Sequence, residues 1–160
     1  FKRFKILVIM EYVYIAGPLF DDHERSYLES ISTIFEERGY ETFLPHRDAG
    51  VVKGEYTKDI KDQIFITDIE ALNKASIVVA LLTGRDVDSG TAAEIGYAFA
   101  KEKTIIGIDA NNVKFLNIFV RGLLGKGENI LNSLEDLERY LDEQEVRKYI
   151  YSLFFLRNNS

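Results

Sequence analysis

The hydrophobic pattern divides the chain into short apolar runs separated by amphipathic stretches. Glu11-Tyr12-Val13-Tyr14-Ile15-Ala16-Gly17-Pro18 reads as a first strand and its exit turn. From Asp21 to Arg38, Leu28, Ile31, Ile34 and Phe35 recur at helical spacing, and Gly39 stops the helix. Tyr40 to Leu44 reads as a second strand ended by Pro45. The polar segment from Arg47 to Thr57 then reads as a loop. Lys58 to Lys74 is predicted helical, with Ile60, Ile64, Ile66, Ile69 and Leu72 on its apolar side. The unbroken apolar run Ile77 to Leu82 marks a strand buried on both faces. A helix from about Gly90 to Glu102 follows, then a strand from Thr104 to Ile108 and a helix from Val113 to Leu124. Asn129 to Leu131 reads as a short fifth strand. Leu134 to Leu141 opens the last helix, and an apolar, aromatic tail runs from Val146 to Leu156.

Strands that alternate with helices imply an α/β fold with a parallel sheet covered on both faces. Five strands suit a flavodoxin-like, doubly wound five-stranded parallel sheet of order 2-1-3-4-5, with helices on both faces. The switch point of that order lies between strands one and three, where ligands bind beyond the carboxyl ends. Strand one ends at Gly17-Pro18 and strand three just before Asp88. Tyr14, Gly17, Asp88 and Glu94 are therefore expected to converge on one crevice.

A chain of 160 residues suits one domain. Met10 is the only methionine, so the domain is assigned to residues 10–160 and the basic, apolar segment 1–9 is read as an appendage. That segment is too short for a secretory signal with a cleavage site. A net charge of −6 lacks the basic footprint of nucleic-acid binding. No cysteine is present, so disulfides and thiolate chemistry are excluded. His23 and His46 lack zinc spacing, and no apolar run reaches the ~18 residues of a membrane span. A cytoplasmic location is expected.

The candidate chemistry centres on Asp88-Ser89-Gly90-Thr91-Ala92-Ala93-Glu94-Ile95-Gly96. Small residues between two carboxylates let a ligand approach the backbone. Glu94 has two readings. Thr91-Ala92-Ala93-Glu94 fits a capping box, in which the carboxylate only satisfies a backbone N–H. Otherwise Glu94 is a reactive carboxylate at the crevice. The glycine spacing is not that of a phosphate loop. Asp68, on a predicted helix, reads by itself as an ordinary solvent-facing aspartate. Phe20, Phe43 and Tyr97 suit either base stacking or core packing. His46-Arg47-Asp48 reads as a solvated loop, Gly125-Lys126-Gly127 as a turn, and Glu135-Asp136 with Asp142-Glu143 as a solvated helix face.

Taken together, Tyr14-Ile15-Ala16-Gly17-Pro18, Asp68 with Leu72 and Ala75, and Asp88-x-Gly90-x-x-x-Glu94-x-Gly96 resemble the nucleoside 2-deoxyribosyltransferase family. The resemblance runs from Tyr14 to about Gly122. It implies transfer of 2-deoxyribose between nucleobases by cleavage of the N-glycosidic bond of a 2′-deoxynucleoside. Glu94 matches the nucleophile that forms a covalent deoxyribosyl ester. Tyr14 matches a tyrosine that positions it, and Asp68 an aspartate that gives a proton to the departing base. Asp88 matches a residue that binds sugar hydroxyls, with Gly17, Gly90 and Phe20 as further substrate-binding positions. Asn117 matches an asparagine that reaches a neighbouring subunit's site, so a homo-oligomer with a shared active site is implied. The partners are a small-molecule deoxynucleoside and a free nucleobase, with no nucleic acid and no membrane.

General chemistry supports these residue types. A carboxylate nucleophile splits one hard displacement into two easier ones. Glu94 near a helix start is expected to stay ionised, and a second carboxyl raised by burial protonates the leaving base. The 2-deoxy sugar forms its cation readily, so neither cofactor nor metal is required. The apolar residues Phe115, Leu116, Ile118, Phe119 and Val120 exceed what one helix face buries, which points to a partner subunit.

Two alternatives remain. One is an N-glycosidic hydrolase, with water as acceptor. The other is a nucleoside- or nucleotide-binding module without catalysis. The related 2′-deoxynucleoside 5′-monophosphate N-hydrolases are also similar at Val120-Arg121-Gly122. They bind phosphate through an arginine after the first strand and through serines. Here the turn reads Pro18-Leu19-Phe20-Asp21-Asp22, and Asp88 and Asn117 stand at serine positions. A nucleoside is expected rather than a nucleotide, with Arg25 the nearest cation in sequence.

Overall fold

The computed structural model describes residues 11–49, 54–110 and 113–158. Its centre is one parallel sheet of order β2-β1-β3-β4-β5, the flavodoxin-like order that the pattern predicts. The strands are β1 (Tyr12–Ala16), β2 (Glu41–Phe43), β3 (Ile77–Leu81), β4 (Thr104–Ile108) and β5 (Ile130–Leu131). The helices are α1 (Asp22–Glu36), α2 (Pro45–Asp48), α3 (Lys58–Lys74), α4 (Ser89–Ala100), α5 (Ile118–Leu123) and α6 (Leu134–Asn158). The segment 1–9, read above as an appendage, lies outside the described residues.

Strand side chains alternate between faces, and that parity decides which residues meet. Val13, Ile15, Val79, Leu81, Ile106 and Ile108 face one way and pack with α1 and α6. Tyr14, Ala16, Val78, Ala80 and Ile105 face the other way, under α3, α4 and α5. Ala16 and Ala80 are register partners at the carboxyl end. Their small side chains let α4 lie close over β1 and β3. On the α1 side, a Cβ at Gly17 would fall 2.6 Å from Leu28 Cδ2 and 3.2 Å from Leu81 Cβ. A side chain at this position would push the buried Leu28 aside, so glycine suits a chain that leaves β1 this close to α1.

The segment from Arg47 is not simply a loop. Pro45 starts the one-turn helix α2, a position where a missing N–H costs nothing. Arg47 donates to Glu36 Oε1 (3.0 Å), Thr42 O (3.1 Å) and both Asp48 oxygens. It ties α1, β2 and α2 together while its side chain stays partly open to solvent. Helix α5 is shorter than the apolar pattern suggests, because the Asn117 side chain caps it, accepting from Phe119 N and Val120 N. The apolar tail continues α6 without a break. On α3 only Ala71 and Leu72 are buried, and Ile66, assigned to the apolar side, is 44% exposed. Among the described residues no helix is long and apolar enough to cross a membrane.

Candidate active site

The site forms where α3 and α4 part over the carboxyl half of β1. Tyr14 is fully buried, and its ring stacks on Phe43 with centroids 5.4 Å apart and planes 20° apart. Phe43 therefore packs in the core and holds the tyrosine. The Tyr14 hydroxyl donates to Glu94 Oε1 at 2.5 Å. This overturns the capping-box reading. The N-cap of α4 is Asp88, whose Oδ2 accepts from Gly90 N at 3.0 Å and Thr91 N at 3.2 Å. The helix thus starts before Thr91, and Glu94 is its sixth residue, too far along to reach back to the cap.

A cleft of about 320 Å³ opens beside this pair. Phe65, Asp68, Ile69 and Leu72 line it from α3, and Gly90, Ala93, Glu94 and Tyr97 from α4, with Tyr14 as floor. Both sets follow i, i+3, i+4, i+7 spacing, which gathers one face of each helix. Asp68 Oδ1 is buried and has no hydrogen-bond partner. An unpaired buried oxygen in an otherwise apolar cleft is costly, and a ligand proton is the natural way to satisfy it.

Burial shapes the electrostatics. It pushes the Glu94 carboxyl up to about 7, the Tyr14 hydrogen bond opposes that rise, and the charges of Asp68 and Asp88 add to it. The expectation that a helix start keeps Glu94 ionised is thus corrected: desolvation outweighs the dipole. Burial also pushes Asp68 up to about 6. The Tyr14 hydroxyl is driven far above its usual range by burial and by Glu94, so it remains a donor. Two carboxyls poised near neutrality across an apolar cleft suit one nucleophile and one proton donor. Among the described residues no group of three or more His, Cys, Asp or Glu is arranged to hold a metal ion.

The other predicted site residues are dispersed. Gly90 lines the cleft, and Asp88 acts on Glu94 through its charge from the cap. Gly17 packs between Leu28 and Leu81. Phe20 is 79% exposed on the turn after β1 and lies outside the cleft, neither in the core nor in the site. Asn117 caps α5 and does not line its own chain's cleft, and its backbone N–H donates to Asp86 Oδ1 at 3.1 Å. Arg25 folds onto its own turn, donating to Leu19 O (2.6 Å) and Asp22 Oδ1 (2.5 Å). Sequence reasoning missed Phe65, Ile69 and Ala93 as cleft walls. Counting three back from Asp68 finds Phe65, while Ile69 and Ala93 stand next to Asp68 and Glu94 and fall at helical spacing from Phe65 and Leu72 and from Gly90 and Tyr97. Tyr97, singled out only as an aromatic, also belongs to the wall.

The family model for nucleoside 2-deoxyribosyltransferase matches residues 13–142. No curated protein is significantly similar to the chain. Among solved structures, a conserved protein from Enterococcus faecalis has a TM-score of 0.73 and is 24% identical, covering 84% of this chain and 99% of its own. A 2-deoxyribosyltransferase from the psychrotolerant bacterium Bacillus psychrosaccharolyticus has a TM-score of 0.68 at 17% identity, with 79% and 90% covered. The CMP N-glycosidase BcmB of Clostridium botulinum has a TM-score of 0.58 at 24% identity, with 82% and 99% covered. These likenesses establish a shared fold.

Proposed function

We infer the reaction of this chain from its family, since it belongs to the nucleoside 2-deoxyribosyltransferases: it moves 2-deoxyribose from one nucleobase to another through Glu94. The observation that carries this reading is the Tyr14–Glu94 hydrogen bond, set in the same cleft as the unpartnered Asp68 oxygen. Tyr14 holds Glu94 Oε1 and leaves Oε2 free to attack the anomeric carbon. As the new C–O bond forms, the C–N bond breaks and its electron pair goes to the base nitrogen. Asp68 supplies the proton that the base needs to leave. An incoming base then attacks the anomeric carbon, frees the Glu94 carboxylate and returns a proton to Asp68. Asp88 keeps Oδ1 for a sugar hydroxyl, and Gly90 lets the sugar lie close to the backbone. The apolar walls Phe65, Ile69, Leu72 and Ala93 suit a flat base better than an ordered water, which favours transfer over hydrolysis.

The substrate is a nucleoside rather than its 5′-monophosphate. Helix N-termini are the usual phosphate sites of such folds. Here Asp21 caps α1 and Asp88 caps α4, and Arg25 is engaged on its own turn. Incubating the protein with a deoxynucleoside, with and without a second free base, tests the reaction, and the matching monophosphate tests the substrate. A new nucleoside is expected, with kcat/KM for the monophosphate lower by about tenfold or more. Free sugar and base alone identify a hydrolase, and absence of turnover a binding module. Preference for the monophosphate moves the chain to the N-hydrolase branch.

The working form is a homo-oligomer, a dimer or higher, in which Asn117 completes a neighbour's site. Phe115, Ile118 and Phe119 surround Asn117 and stand 59%, 87% and 74% exposed, an apolar surface that suits a partner. Asn117→Asp keeps the capping oxygen and removes the amide donor. Mixed with Glu94→Ala subunits, it is expected to regain turnover that neither variant has alone. A fully active monomer in light scattering counts against the shared site.

A further inference from the structure

We propose that Tyr97 is a positioning residue: its hydroxyl clasps α3 to α4 through Asn73 and so sets the gap between Asp68 and Glu94. The inference rests on the reading of those two carboxyls as the reacting pair. Tyr97 lies one turn beyond Glu94, and Asn73 just over one turn beyond Asp68. The Tyr97 hydroxyl donates to Asn73 Oδ1 at 2.6 Å. Lys103, just after α4, adds a second tie at the same end. Its ammonium donates to Asn73 O at 3.0 Å and Ala75 O at 2.5 Å, where α3 terminates. A cation suits those carbonyls at a helix C-terminus.

The clasp has work to do because α3 is weakly seated. Its buried residues, Ala71 and Leu72, lie near its C-terminal end. Phe65 and Ile66, nearer the start, are exposed, and the cleft separates this stretch from α4. Where substrate binds, the two helices do not hold each other. The ties at Asn73 and Ala75 close the back of the cleft and leave the Phe65–Gly90 end open. Asp68 therefore rides on a helix whose distance from Glu94 is fixed from one end. Loss of the hydroxyl leaves the Lys103 tie alone at this end and lets α3 drift outward, and a drift of about 1 Å between reacting groups lowers a rate substantially.

The ring of Tyr97 also lines the cleft, so the test must separate ring from hydroxyl. Tyr97→Phe keeps the ring, and Asn73→Leu removes the acceptor from the other side. Each is expected to lower kcat about tenfold while KM changes less than about threefold. The double variant is expected to be no worse than either single variant, the signature of one shared interaction. Carboxyl-carbon NMR titration of the folded proteins gives a readout that needs no turnover. Glu94 is expected to titrate lower in both variants, as water enters and Asp68 recedes. Wild-type kcat and wild-type titration in both variants overturn the proposal, and so do losses that add in the double variant. If the parent turns over no deoxynucleoside, the assigned reaction fails while the titration still decides the clasp.

Discussion

Glu94→Ala is expected to reduce turnover by about 10⁴-fold or more and to leave the protein folded. Removing a covalent nucleophile commonly costs that much, because no other group in the cleft takes over the bond it makes. Asp68 does not substitute, since its task requires a proton rather than a lone pair. The fold survives because Glu94 is not the cap of α4. That role belongs to Asp88, which the substitution does not touch. Loss of the Tyr14 contact leaves the buried phenol facing the space that the carboxyl vacates, which joins the cleft and admits water.

The same residue makes stability depend on pH, and the sign follows from its titration. Glu94 sits at about 7 in the folded chain, above its ordinary value of 4.5. Between those values the folded state holds a proton that the unfolded state has released. The contribution is therefore fully present below about 4.5 and is lost as pH rises through about 7. Glu94→Gln, which still accepts from Tyr14, is expected to match the parent in acid and to exceed it by roughly 1–3 kcal/mol at pH 8. Denaturant melts at the two pH values measure this beside the turnover assay. A folded Glu94→Ala protein with most of its activity would falsify the nucleophile assignment.

Asp68→Asn is expected to lower kcat/KM by about 10²- to 10³-fold, with the loss greatest for bases that leave poorly. Asparagine fills the space of aspartate but cannot deliver its proton to the glycosidic nitrogen. A deoxyriboside whose base departs readily as an anion needs no such proton and should be nearly unaffected. The pH profile gives the sharper test. Activity falls below about 7 as Glu94 takes up its proton, and above about 6 as Asp68 loses its own. The two limbs overlap, so the parent shows a narrow maximum between them, and the limbs belong to the coupled pair. In Asp68→Asn the alkaline limb disappears and the residual rate rises to a plateau above about 7. An unchanged bell, or equal losses for easy and hard leaving groups, removes Asp68 from the proton-donor role.

The sheet was legible because its strands are simple patterns. Ile77 to Leu81 is apolar throughout and lies buried throughout, as a central parallel strand must. Tyr14 and Glu94 were legible as a pair because the strand order sets the carboxyl half of the first strand beside the loop and helix that follow the third. Three features escaped for physical reasons. Asp88 and Thr91 both suit an N-cap by residue type, and only backbone geometry decides between them. Periodicity also overreached at α3, where an apolar face fronts a cleft instead of a core. Finally, the titration of Glu94 depends on how much water the assembled helices exclude, a quantity that no local pattern carries.

The cleft has walls of unequal origin. Tyr14, moored in the middle of the sheet and braced by Phe43, anchors the half that holds Glu94. The opposite half is one outer helix with little of its surface buried. On the reading proposed above, the nucleophile belongs to the well-seated half, whereas the proton donor Asp68 shares α3 with the wall residues Phe65, Ile69 and Leu72. Substitutions at Phe65, which is exposed, can then recut that wall while leaving the Tyr14–Glu94 pair in place. A lineage with this architecture can trade one nucleobase for another by small steps on α3, while the sheet side stays under constant selection.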